Sequence, residues 1–495
     1  MTALGVLAPL FAATLGAGVA DAAQLSVHGK PRLQPRFQRS ERDYATRCAK
    51  HRKLRLRFVA TGGYRVTARH RSASGTFTRW FELDPGQAIR FSVRRGDRSR
   101  AYHVRCLPSD FPPFTVKRPG SPQAQWYVVT PNYPQFGKRS YGRFAAVFDN
   151  RGAPVWWKAA QDGREIDDAK LLPDGNLAWS NNLIGFYGQS STNRFEEHAL
   201  DGSLVRKYRT VGSPTDFHEL EPVFGSARRM LLTYRRREHE DMTSCGGEGA
   251  PSDFPALDGE IQEVDPRGAV AWSWNTHSDG HIPVDETGRY CPYTWGFAQS
   301  LGGAADNVHP NAIEVFREHR RQKVLLSAAR LDAIYQIDKK TKRIDWKLGG
   351  TKTDRSLKVI GDDAYAPWHF GGQHDVRRLA DRTITLHDNQ TADQRPPRAV
   401  RFRVDEARMT ATRIESLTDP AARASLCCGG ARKLPGGNWA VAWGYVPVVT
   451  ELSPSGRRVF RLKFRGVYSY RVDPVLPGRL SRGALRRGMD RMHRP

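Results

Sequence analysis

The sequence contains no Cys-x-x-Cys pair, although six cysteines are spread through its 495 residues. Thiolate zinc sites are built on such pairs, so that class of metal centre is excluded. Long apolar runs are also missing: past the first two dozen residues, no segment reaches the ~20 apolar residues of a membrane span. Negative charge is scarce, with 51 Asp and Glu against 78 Lys and Arg, a formal charge of +27. That excess points first to nucleic acid, but the basic residues are dispersed and no nucleic-acid-binding motif accompanies them. A basic surface equally favours small anionic substrates. Hydrophobic residues make up 39% and aromatics 10%, enough to bury a core, which excludes a disordered chain.

The opening stretch MTALGVLAPLFAATLGAGVADAAQ is apolar, rich in Ala and Gly, and ends in Ala20-Asp21-Ala22. Residues 1–23 read as a signal peptide, although no Lys or Arg precedes the apolar run. The expected location is secreted or at the cell envelope, where disulfides persist. Cys48 and Cys106 bracket one local loop and Cys245 and Cys291 another, so each is expected to pair. The adjacent Cys427 and Cys428 form a vicinal disulfide or stay reduced.

Residues 24–40 are polar and read as a linker. Residues 41–115 alternate apolar and polar positions, as in LRLRFVA and IRFSVRR, the period of half-buried strands, and read as a small β-sandwich. From 120 to 478 two elements recur. One is a hairpin with an Asp/Gly/Lys turn: DNRGAPVWW (149–157), DGSLVRKY (201–208), DPRGAVAWSW (265–274), DKKTKRIDWKL (338–348), DEARMTATRI (405–414) and SPSGRRVFRL (453–462). The other is an apolar pair, a turn and an apolar strand, as in KLLPDGNLAWS (170–180) and RKLPGGNWAVAWG (432–444), with a degenerate copy in RVDPVLPG (471–478). Six two-hairpin units that cannot each bury both faces alone are expected to stack radially. The expected fold is all-β, a six-bladed β-propeller behind the small sandwich. Residues 479–495 read as a solvated basic tail.

Three histidines recur just upstream of the second element: His218 in TDFHEL, His309 in DNVHPN and His374 in GGQHDV. The first strand of each propeller blade lines the central channel, so these imidazoles are expected to converge at one mouth of it. Asn311 beside His309 and Arg330 closing VLLSAAR are donors suited to an oxyanion and poor as metal ligands. An imidazole-lined cationic site suits a sulfuryl or phosphoryl group.

The stretches HPNAI, LSAARLDAIYQID, IDWKLGG, GGQHDVRRL, TITLHDNQ and CCGGARKLPGGNWAVAWG, in that order, resemble the arylsulfotransferase family. The resemblance implies a six-bladed propeller that moves a sulfuryl group from an aryl sulfate donor to a phenol acceptor without the nucleotide donor PAPS and without a cofactor or metal. It makes His374 the transiently sulfated histidine, with His309, Asn311 and Arg330 around it and His218 as a further active-site histidine. Trp368 and His369 are candidates for the substrate mouth, Asp375 for orienting an imidazole or pinning its strand, and Asp388 and Asn389 for supporting roles. Two rivals stand beside this reading. One is a non-enzymatic envelope propeller that binds polyanions or protein partners; the other is a metal-dependent hydrolase using the three histidines.

Overall fold

The computed structural model describes residues 23–48, 53–183, 190–300 and 303–494. Apart from Ala23, the stretch read as a signal peptide lies outside the described residues. The chain is mostly strand, and among the described residues the strands form eight sheets of three to five members.

Two sheets come from the N-terminal part. Leu25–Lys30, Leu54–Ala60 and Gly75–Phe81 form one, and five strands from Asp43–Arg47 to Arg98–Leu107 form the other. The alternating apolar positions Leu54, Leu56, Phe58, Phe91, Tyr102 and Val104 meet in a shared core. The segment read as a linker thus supplies an edge strand, because Leu25–Lys30 pairs antiparallel with Leu54–Ala60.

The other six sheets carry the repeats. Each recurring hairpin appears as two antiparallel strands, from Phe144–Asp149 with Pro154–Ala159 to Val448–Leu452 with Arg458–Phe464. The turn residues explain the hairpins. Asp149 Oδ1 accepts the N–H groups of Arg151 and Ala153 at 3.1 and 2.9 Å, and Asp265 does the same for Arg267 and Ala269. Gly152 supplies the positive φ, +96°, that such a turn demands.

One edge strand of each sheet packs against its counterparts in the neighbouring sheets. Glu165–Leu171, Thr215–Pro222, Pro310–Glu318, His374–Arg378, Gly430–Lys433 and Val467–Val475 follow one another in a closed ring. The ring closes through the degenerate copy: Val467–Val475 pairs with Trp126–Pro134, so the last strand of the chain completes the first sheet. A second closure joins Phe114–Lys117 to Arg458–Phe464. The chain therefore enters the ring at Phe114, a few residues earlier than the composition indicated.

The C-terminal segment is not a solvated tail. Arg482–Met492 is a helix with Leu485 and Met489 buried against the strand Pro154–Ala159. Its basic residues find specific partners. Arg486 pairs with Asp43 at 2.7 Å, Arg482 with Asp149 at 3.0 Å, and Arg105 of the N-terminal sheets with Asp490 at 2.7 Å. The helix thereby ties the N-terminal sheets to the ring. Cys48–Cys106 and Cys245–Cys291 are disulfide-bonded as expected, and Cys427–Cys428 is a vicinal disulfide.

Candidate active site

The ring strands are irregular where they reach one end. Register slips occur between Asp167 and Lys170, Thr215 and Leu220, Pro310 and Ala312, and His374 and Arg377. Asp168, His309 and Asp375 sit at φ +47°, +49° and +58°. Such conformations cost about 1–3 kcal/mol each in a non-glycine residue and persist only where the surroundings over-determine them. Here they turn consecutive polar side chains towards the inside of the ring instead of alternating them across a sheet.

The imidazoles of His218, His309 and His374 meet as a result. The rings of His218 and His309 lie edge to face with centroids 5.0 Å apart, and His374 is 6.5 Å from His218. All three line one cavity of about 340 Å³, together with Arg330 and the aromatic residues Tyr133, Phe217, Tyr290, Tyr468 and Tyr470. Leu426 and the Cys427–Cys428 disulfide complete the wall. The guanidinium of Arg330 lies over the Tyr290 ring at 5.7 Å and pairs with no carboxylate among the described residues.

The three histidines have different partners. His374 Nδ1 is 2.9 Å from the Gly372 carbonyl and 3.0 Å from Asn389 Oδ1. The Asn389 amide orientation is fixed because its nitrogen donates to Ser425 Oγ and to the Cys428 carbonyl. Both neighbours of Nδ1 are thus acceptors, so Nδ1 carries the proton and Nε2 keeps its lone pair. Nε2 in turn accepts the Cys428 N–H at 3.2 Å. Burial, then the fields of His218 and Arg471, hold His374 well below the usual imidazole range, so it is neutral.

His309 and His218 instead face carboxyl groups. His309 Nδ1 is 2.5 Å from Asp306 Oδ2, and His218 Nδ1 is 2.7 Å from Asp216 Oδ1. Burial would raise Asp306, but the field and hydrogen bond of His309 outweigh it and hold the carboxyl below its ordinary value. Around His218, burial pushes Asp216 up and His218 down, favouring an uncharged pair.

The remaining candidates fall outside the cavity wall. Asn311 is fully buried, and its amide donates to the carbonyl of Gln373 at 2.8 Å, one residue before His374. Trp368 packs under the Arg289 guanidinium at 4.8 Å, and His369 turns to the Asp362 carbonyl at 3.3 Å. Asp375 forms no ion pair with an imidazole among the described residues; it pairs with Arg377 and Arg432 at 2.9 and 2.8 Å and pins neighbouring strands. Asp388 pairs with the buried Arg398 at 2.8 Å.

A buried ionic network within the ring was not anticipated. Arg471 donates to Asp168 at 2.9 Å, to Glu219 at 2.7 Å and to the Asn311 carbonyl at 2.6 Å. Glu219 also accepts from Arg377 at 2.7 Å and from Lys170. Burial opposes the charge on Glu219, but Arg377, Lys170 and Arg471 outweigh it and hold the carboxyl well below its ordinary value. A signal for this network was present. A carboxylate stands at one repeat position in three copies (Asp168, Glu219 and Asp375), and a cation two residues further on in two of these (Lys170 and Arg377) and in a fourth copy, where Arg432 follows Gly430.

Solved structures match the chain only loosely. A protein of unknown function from Bacteroides caccae aligns with 71% of this chain and 99% of its own at 11% identity and a TM-score of 0.38. A quinonprotein alcohol dehydrogenase-like protein from Bacteroides thetaiotaomicron covers 88% and 96% at 8% identity and 0.32. No curated protein matches the sequence. The family described as arylsulfotransferase (ASST) matches residues 190–465. Because that span exceeds half of the sequence and contains every histidine of the cavity, the chain belongs to the arylsulfotransferase family.

Proposed function

We propose that the six ring sheets are the blades of a propeller spanning residues 120–478, with Phe114–Lys117 added to one of them as an outer strand. On this reading the cavity at one end transfers a sulfuryl group from a phenolic sulfate ester to a phenol through a sulfohistidine, without PAPS. The observation that carries this reading is the state of His374: a neutral imidazole lining the cavity, with its Nδ1 proton held by two acceptors and its Nε2 unprotonated, the lone pair meeting only the Cys428 N–H at 3.2 Å. A nucleophile needs that lone pair.

In the first half-reaction the His374 Nε2 lone pair exchanges its hydrogen bond from the Cys428 N–H for sulfur, which it attacks. The N–S bond forms as the bond from sulfur to the aryl oxygen breaks. The departing phenolate takes a proton from His309, whose other nitrogen is braced by Asp306. Arg330 balances the negative charge on the sulfuryl oxygens, and the neutral His218 packs beside them without repelling the group. Aromatic walls from Tyr133, Tyr468 and Phe217 suit a phenyl ring. In the second half-reaction an acceptor phenol returns its proton to His309 and attacks sulfur, and the N–S bond breaks.

The cavity is near the lower end of the ~300–1,000 Å³ usual for ligand sites. On this reading one histidine carries the sulfuryl group between donor and acceptor, hence ping-pong kinetics. The expected place of action is secreted or at the cell envelope.

The test is incubation with p-nitrophenyl sulfate with and without a phenol acceptor. Wild type should release nitrophenol in an acceptor-dependent way, and His374→Ala should lose at least ~10³-fold in kcat. Release indifferent to both acceptor and substitution would reject the reading. Loss of activity on chelation, with zinc in the purified protein, would favour a hydrolase instead.

A further inference from the structure

The Cys427–Cys428 disulfide forms part of the cavity wall, yet sulfuryl transfer as described makes no use of it. A bond between neighbouring cysteines closes a small ring through their shared peptide and removes most of that peptide's freedom. Several contacts aim the peptide at His374. The Cys428 N–H donates to His374 Nε2 at 3.2 Å, and the Cys428 carbonyl accepts from Asn389 Nδ2 at 3.0 Å. The oxygen of the same Asn389 amide receives His374 Nδ1 at 3.0 Å. Ser425 Oγ accepts from Asn389 Nδ2 at 2.7 Å and donates to the Cys427 carbonyl at 3.2 Å. Both nitrogens of one imidazole are therefore held, directly or through Asn389, by one constrained peptide. Cys428 itself sits at φ +66°, where a non-glycine residue stays only if it is held.

We propose that the vicinal disulfide positions His374: it fixes the Cys428 N–H on the nucleophilic nitrogen, so the oxidation state of this cysteine pair sets the rate of transfer. Once sulfur occupies Nε2, the same N–H stands beside the sulfuryl oxygens as a donor, in the manner of a preorganised oxyanion contact. Two thiol equivalents reduce the bond, giving the Cys427 and Cys428 thiols and the disulfide of the reductant. Reduction opens the ring, lets Cys428 relax from its positive φ and withdraws the donor. Cys427 and Cys428 are positioning residues, and the effect on rate rests on the sulfohistidine reading above.

The experiment compares oxidised wild type, wild type reduced with dithiothreitol and then reoxidised, and Cys427→Ser/Cys428→Ser, with Cys48→Ser/Cys106→Ser as a control. Two quantities are read on folded protein: kcat and KM for p-nitrophenyl sulfate, and the rate at which diethyl pyrocarbonate acylates His374, mapped by peptide mass spectrometry. Loss of the disulfide should lower kcat at least ~10-fold with little change in KM. It should also change His374 acylation several-fold, and reoxidation should reverse both effects. The control should keep the reductant response, and the double serine variant should have lost it. Should that variant fail to fold, reversible reduction carries the comparison when repeated in Cys245→Ser/Cys291→Ser, since Cys291 adjoins Tyr290 of the cavity wall. Equal kcat and equal acylation with and without the disulfide would overturn the proposal. A wild type that transfers no sulfuryl group, but whose His374 acylation follows the disulfide, would retire the sulfotransferase reading and leave the positioning claim standing.

Discussion

His374 and His387 lie on adjacent strands and are both buried and neutral, but for different reasons. His374 has every ring nitrogen engaged. His387 has neither nitrogen hydrogen-bonded among the described residues, and burial depresses it to about 4. In the unfolded chain a histidine titrates near ~6.5. As pH falls below that value the unfolded state takes up the proton first, so stability is full above ~6.5 and is lost between there and about 4. The cost approaches about 3 kcal/mol across that window. His387→Leu should abolish it, so urea midpoints of variant and wild type should diverge in the variant's favour as pH falls. Parallel curves would mean that His387 is solvated.

Arg330 makes a second prediction at this scale. It is the lining cation without a carboxylate partner, so Arg330→Met should lower kcat/KM by ~10²-fold or more with little loss of stability. Steady-state kinetics and a melting curve read the two effects separately. At the residue scale the sequence indicated that His218, His309, His374 and Arg330 come together, because a repeat position and a donor-type neighbour are both visible in the letters, and these four line one cavity. Asn311, Trp368 and His369 do not line that cavity, because proximity in sequence to a site residue does not say to which side a side chain turns. Asn311 lies two residues from His309, but the register slip between Pro310 and Ala312 sends its amide to the Gln373 carbonyl.

At the scale of elements, the C-terminal helix was the least legible part. Its run of arginines reads as solvated until Asp43 and Asp149, far away in sequence, are seen to neutralise them. Two of its glycines give opposite expectations. A Cβ on Gly488 would come within 2.1 Å of the Leu200 carbonyl oxygen, which is backbone and cannot move aside. On Gly483 the nearest atom is the flexible end of Arg487, at 3.1 Å. Helix propensity alone favours alanine by about 1 kcal/mol at either place. Gly483→Ala should therefore be neutral or stabilising, whereas Gly488→Ala should destabilise by ~1–3 kcal/mol. Urea denaturation of the two variants compares them directly. The hairpins, by contrast, were plain in the sequence, since each carries its own turn chemistry.

At the scale of the whole molecule, strands from both ends of the chain close the ring. Its interior holds charges from several sheets, and Glu219 is the point where Lys170, Arg377 and Arg471 meet. Removing its charge leaves three buried cations to share Asp168 and Asp375, so Glu219→Gln should cost up to ~3–5 kcal/mol. The loss should appear in one cooperative transition, because the network bridges sheets. A small effect would mean that water reaches the network. Sequence alone indicated that units repeat; the charges at fixed repeat positions were visible, but not that Arg471, from the degenerate last copy, joins them inside the ring.

The central claim is a covalent one, and trapping the intermediate tests it most directly. The protein is mixed with p-nitrophenyl sulfate without acceptor, quenched at alkaline pH, digested and analysed by mass spectrometry. The account predicts one SO₃ on the peptide containing His374, discharged when phenol is added before the quench. Turnover with no adduct on His374, or with the adduct on another residue, would contradict it.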